Sequence, residues 1–187
     1  MNEFSFSVVP DVLVGAEISQ RLGDITAAMG MQRVLIVTDP VIVQLGLLDG
    51  AIKNLESNHV TLSIYSDVVA DPPESVVTDA VVAAQEFGCD GVIGFGGGSS
   101  MDVAKLLAVL IKGQQSLTDI YGVDQITSGR LPLIQVPTTA GTGSEATMVS
   151  IITTGETTKA GVVSRTLLAD KIILDATPVS YTHLTLP

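Results

Sequence analysis

The chain has 187 residues, with 9 Lys and Arg against 20 Asp and Glu, a formal net charge of −11. That charge argues against a nucleic-acid or anionic membrane partner, and a 46% hydrophobic content excludes a disordered chain. The single cysteine, Cys89, cannot form an internal disulfide, and no Trp with 4% aromatic residues leaves few stacking platforms. The N-terminus, MNEFSFSVVP, lacks a basic start followed by an apolar run, so no signal peptide is expected. Nor does any stretch approach the roughly 18 uninterrupted apolar residues of a membrane span. A cytoplasmic location is the expectation.

Short apolar runs alternate with helical patterns along the chain. Residues 12–14 lead into 16–29, where Ile18, Leu22, Ile25 and Met29 recur on one helical face. Residues 33–38 read as a buried strand closed by Asp39-Pro40. A helical stretch over 41–57 is interrupted near Gly46 and Gly50, and 60–65 is the next strand. Asp71-Pro-Pro-Glu74 reads as a helix start, with Asp71 as N-cap and Val77, Ala80, Val81, Ala84 and Phe87 as the buried stripe. Strands at 91–95 and 133–136 flank a helix at 99–112. Repeated β-then-α order predicts an α/β fold, a parallel sheet with helices on both faces. Beyond it, 147–153 and 158–164 form a β-hairpin around Thr154-Gly-Glu156, and 171–175 is a last strand.

Three segments carry chemistry. Gly94-Phe-Gly-Gly-Gly-Ser-Ser-Met-Asp102 lies between a buried strand and a helix. Consecutive glycines admit a ligand close to the backbone, and N–H groups at the helix start attract an anion such as a diphosphate. Ser99 replaces the third glycine of the usual G-x-G-x-x-G pattern, and the alternative reading is a glycine turn with a Ser99…Asp102 capping box. Pro137-Thr-Thr-Ala-Gly-Thr-Gly-Ser-Glu145 follows a strand and suits the crevice at a sheet's C-terminal edge, or is a tight polar loop. Asp39 ends the strand at 33–38; its carboxylate suits a ribose and repels a 2′-phosphate, or forms an Asp-Pro turn.

Together these segments resemble the iron-containing (group III) alcohol dehydrogenase family, from about Asp11 to Pro178, with GFGGGSSMDVAK and PTTAGTGSEAT the specific pair. The resemblance implies a Rossmann-like NAD-binding domain over residues 1–180, followed in the family by an all-helical metal domain. It implies that Gly97, Gly98 and Ser99 hold the pyrophosphate, and that Thr138, Thr139 and Thr147 line the cofactor cleft. Asp39 would face the adenosine ribose, Asp102 would lie near the nicotinamide, and Lys159 would stand close to the cofactor. Asp71, where the family more often has Asn before Pro, would also contact the cofactor, and the hairpin turn is about one residue shorter than the family's.

In that family one Asp and three His hold the metal, Fe²⁺ in the name-giving members. Here Asp175-Ala-Thr-Pro-Val-Ser180 has no His at the matching position, and His59 and His183 are the only histidines. No metal site is expected from these residues, and 181–187 reads as a tail foreign to the family pattern. The implied activity is hydride transfer between primary alcohols or small diols and NAD, with the 187-residue piece inactive alone and the parent a homo-oligomer. A glycerol or polyol dehydrogenase of the same superfamily is the near alternative, against which Ser144-Glu145 speaks. A non-catalytic nucleotide-binding module is the alternative from another class.

Overall fold

The computed structural model describes residues 7–155 and 157–185, with side chains through Ser180. Six parallel strands form the main sheet: β1 (Val12–Val14), β2 (Arg33–Val37), β3 (Thr61–Tyr65), β4 (Gly91–Gly96), β6 (Leu133–Pro137) and β9 (Lys171–Leu174), in the order β1-β9-β6-β4-β2-β3. Between β4 and β6 in the chain lies the short β5 (Gly122–Val123), which pairs with β8 (Thr158–Val163), itself antiparallel to β7 (Val149–Thr154). The expected hairpin is therefore one part of a three-stranded sheet. Glu156, within its turn, lies outside the described residues.

Alternation of side chains within each strand divides the core in two. Leu35, Val37, Val92 and Leu133 face one cluster with α4 (Glu74–Phe87) and α5 (Gly98–Lys112). Val34, Ile36, Ile93, Phe95, Ile134 and Val136 face the other, with α1 (Leu22–Ala28), α2 (Pro40–Gln44) and α3 (Asp49–Ser57). Both faces are covered, which is why these strands read as continuous apolar runs. The α/β expectation holds, with a Rossmann-like layered sheet.

The strand order places the site. With β2 taken as the first strand, β3-β2-β4-β6-β9 follows the 2-1-3-4-5 order of doubly wound sheets, and the chain reverses direction between β2 and β4. A crevice opens there, beyond the C-terminal ends of both strands.

Several local expectations shift. The stretch 16–29 divides into a 3-10 turn (Ile18–Arg21) and α1. Asp71 is not an N-cap: it holds a left-handed φ of 52°, and α4 starts at Glu74 behind Pro73. The reason is tertiary, because Thr153 of β7 donates its N–H to the Pro72 carbonyl and its hydroxyl to that of Asp71. Val76 joins the buried stripe of α4, where Val81 and Phe87 are half-buried. The helix α6 (Ala176–Thr185) carries the backbone into the tail, whose Leu186 and Pro187 lie outside the described residues. No helix among the described residues is long and apolar enough to cross a membrane.

Candidate functional site

The glycine run joins β4 to α5, with Gly97 as N-cap and Gly98 as first helical residue. The first intrahelical bond is donated by Met101 to the Gly97 carbonyl, so the N–H groups of Gly98, Ser99 and Ser100 have no acceptor within the helix. The Ser99…Asp102 capping box does not form, because α5 begins a residue earlier than expected and Asp102 turns elsewhere. Close packing explains the glycines. A Cβ on Gly96 would fall 2.7 Å from Ser100 Oγ, and one on Gly98 would fall 3.3 Å from Thr142 Cβ.

These groups border an open cleft of about 460 Å³ lined by Asp39, Val41, Val69, Gly97–Ser100 and Thr139. Asp39 serves two purposes. Its Oδ1 accepts the N–H groups of Val41 and Ile42 at 3.0 and 3.1 Å, capping α2. Its Oδ2 points toward the glycines, 3.4 Å from where a Gly96 Cβ would lie. The turn-forming reading of Asp39 holds through Oδ1, while Oδ2 stays on the side of the cleft. Thr139 contributes a buried hydroxyl with no hydrogen-bond partner. Such an orphan at the wall of an open cleft fits a ligand acceptor. A cavity of about 470 Å³ lies at the opposite end of the sheet, around Gly30, Gln32 and His59, with no helix N-terminus opening into it.

The remaining expected residues divide into two groups. Asp71 and Lys159 form an exposed ion pair of 2.5 Å, Asp71 following Ala70 of the cleft lining in the chain; Lys159 also donates to Thr153 Oγ1. Thr138 is buried, and its N–H closes the β4–β6 ladder on the Gly96 carbonyl. Asp102 and Thr147 join a polar cluster behind the glycine run. Ser144 Oγ donates to Asp102 Oδ1 at 2.5 Å, and the Ile151 N–H donates to Oδ2 at 3.0 Å.

At the centre of that cluster is Lys105, which sequence reasoning missed. Its side chain is 0% exposed, and its ammonium donates to Asp102, Ser144, Thr147 and the Val149 carbonyl. Burial pushes Lys105 below its ordinary value, against the pull of the Asp102 carboxylate. The available signal was a lone charge in the otherwise apolar VAKLLAVLI of residues 103–111.

Asp175 does not fit a metal. It accepts the N–H groups of Glu17, Ser19 and Thr177 and the Ser19 hydroxyl. Burial alone would raise its pKa, yet these bonds hold the carboxyl below the usual range. Its lone pairs are spent on joining β9 to the turn after β1. Among the described residues, no group of three or more His, Cys, Asp or Glu could hold a metal ion.

Comparison with known proteins gives the family. Residues 10–176 match the iron-containing alcohol dehydrogenase family. Long-chain-alcohol dehydrogenase 1 of Geobacillus thermodenitrificans is 41% identical over 150 residues, 79% of this chain and 38% of that protein. The NADH-dependent butanol dehydrogenase A of Thermotoga maritima superposes with a TM-score of 0.88 at 27% identity, covering 100% of this chain and 46% of that one. Sulfoacetaldehyde reductase of Bifidobacterium kashiwanohense, solved in complex with NAD+, gives 0.84 at 28% identity, covering 96% and 48%. The chain thus spans less than half the length of these relatives. It belongs to the iron-containing alcohol dehydrogenase family.

Proposed function

We propose that this chain is the cofactor-binding part of an NAD-dependent alcohol dehydrogenase that interconverts primary alcohols or small diols and their aldehydes. One observation carries the reading. At the switch point between β2 and β4, unpaired helix N–H groups, the Asp39 Oδ2 and the orphan Thr139 hydroxyl border one cleft.

A bound nicotinamide cofactor would supply the hydride chemistry. The chain's own residues bind and orient. Gly98, Ser99 and Ser100 would donate N–H groups to the diphosphate at the positive end of α5. Thr139 would add a hydroxyl donor, and Asp39 Oδ2 would accept from the adenosine ribose while repelling a 2′-phosphate. Lys159, with Asp71 beside it, would stand close to the cofactor. Thr138, Asp102 and Thr147 would act from behind, shaping the loop walls.

The family's metal polarises the alcohol oxygen, and the described residues offer no ligand set for it. The 187-residue chain should therefore bind NADH without oxidising alcohols, with Fe²⁺ or Zn²⁺ added. We assign it to the cytoplasm and its parent to a homo-oligomer. The test is fluorescence titration with NADH and NADPH, followed by assay of NADH formation from a panel of small alcohols and diols. NADH binding tighter than NADPH binding, without turnover, supports the reading. Equal or better NADPH affinity contradicts the role of Asp39, and metal-dependent turnover contradicts the missing ligand set.

A further inference from the structure

Lys105 is an expensive residue for its place. Ten residues of α5 are buried, and it is the one cation among them. Burying an ammonium is unfavourable unless acceptors replace its water. Four do: the Val149 carbonyl at 2.7 Å, Ser144 Oγ at 2.9 Å, and Asp102 Oδ1 and Thr147 Oγ1, each at 3.3 Å. An ammonium has three protons, so the two longer contacts share the third. The nearby counter-charges are Asp102 on its own helix and Glu145 on the loop after β6. The acceptors belong to three pieces of chain: α5 itself, the loop at 138–147, and the start of β7.

That loop is a wall of the cleft. A Cβ on Gly97 would lie 3.5 Å from Thr139 Oγ1, and one on Gly98 would lie 3.3 Å from Thr142 Cβ and Cγ2. Ser144 comes two residues after Thr142, accepts from Lys105, and donates in turn to Asp102. Its N–H reaches back to Thr142 Oγ1 at 3.4 Å. The tie thus runs from the second turn of α5 into the loop, while the first turn of the same helix borders the cleft. Helix and loop are held in fixed register on either side of one opening.

We propose that Lys105 is a positioning residue: through Ser144 and Thr147 it holds the loop that presents Thr139 and Thr142 to the diphosphate of the bound nucleotide. Its own side chain is fully buried. An apolar side chain of similar volume would leave Asp102, Ser144 and the Val149 carbonyl without their donor, and the loop without its tie to α5. The inference rests on the cofactor reading above.

The test compares Ser144→Ala and Lys105→Met with the unaltered chain. It uses amide hydrogen exchange without nucleotide, and calorimetric affinities for ADP, NADH and NADPH. Ser144→Ala keeps the Lys105 contacts to Asp102, Thr147 and Val149, so it decides the matter if Lys105→Met does not fold. The expected result is exchange about tenfold faster in 139–147, with amides 103–110 of α5 unchanged. ADP and NADH affinity should fall by about the same factor, the usual weight of a charge-assisted bond. The NADH:NADPH preference should stay as it was, because Asp39 is outside the tie. A general loss of structure would instead speed exchange in α5 and erode that preference, which would overturn the role. Unchanged loop exchange and ADP affinity in Ser144→Ala would also overturn it. Failure of the unaltered chain to bind NADH or ADP would sink the cofactor reading and this role together, a result distinct from the others.

Discussion

The first and second turns of α5 have polar groups with opposite fates. In the first turn, the N–H groups of Gly98, Ser99 and Ser100 lack helical acceptors and face a cleft that also holds the orphan Thr139 hydroxyl. In the second turn, both Asp102 oxygens and the Lys105 ammonium are engaged by groups of the protein. Open groups mark where a ligand would dock, and satisfied ones mark what holds that place in shape. The resemblance sets Asp102 near the nicotinamide, and its oxygens also accept from Ser144, Lys105 and the Ile151 N–H.

The sharpest way to break this contrast is Gly98→Val. The added Cβ and methyls would crowd Thr142 and fill space before the helix N-terminus. NADH affinity should fall by roughly 10–100-fold, the equivalent of 1–3 kcal/mol of overpacking. Circular dichroism should show the fold retained. Unchanged NADH binding by calorimetry would reduce the glycine run to a structural turn.

Asp39→Gly addresses selectivity. Removing a carboxylate near a 2′-phosphate lifts a repulsion of about 1–4 kcal/mol, so the NADH:NADPH gap should shrink at least about fivefold. Glycine at an N-cap costs only a few tenths of a kcal/mol, so α2 should persist. An unaltered gap in parallel titrations would remove Asp39 from the ribose site.

Asp71→Asn probes the exposed ion pair. Its pair with Lys159 is exposed on both sides, and such pairs contribute about 0–1 kcal/mol. Urea unfolding should show a loss within that range, shrinking further in high salt. A larger, salt-insensitive loss would make the pair a structural clamp.

The smallest effect concerns pH. Burial lowers the Lys105 pKa in the folded chain below its ordinary 10.5. Between the lowered value and 10.5 the unfolded chain binds more protons, so this group makes stability rise with pH across that window. The stability-against-pH slope there should be less positive in Lys105→Met. Equal slopes in the two proteins would contradict the lowered value.

The sheet was legible because its strands are buried on both faces, giving runs such as Val34–Val37 that need no tertiary information. The cleft was legible because consecutive glycines between a buried strand and a helix let a ligand approach the free N–H groups of the first turn. Two things were not. The start of α4 is set by Thr153, whose bonds to Asp71 and Pro72 cross 82 and 81 positions, and local cap preference gave way to them. Lys105 was passed over because lysines on helices are normally solvated, and its partners Ser144, Thr147 and Val149 are 39 to 44 residues away.

The central claim is that the cleft between β2 and β4 holds the diphosphate of NADH. Amide NMR of the chain titrated with NADH tests it most directly. The account predicts saturating shifts at Gly98, Ser99, Ser100 and Thr139, with one shared Kd, and further shifts near Asp39. Shifts confined to the far end of the sheet, around Gly30, Gln32 and His59, or no shifts at millimolar NADH, would contradict it.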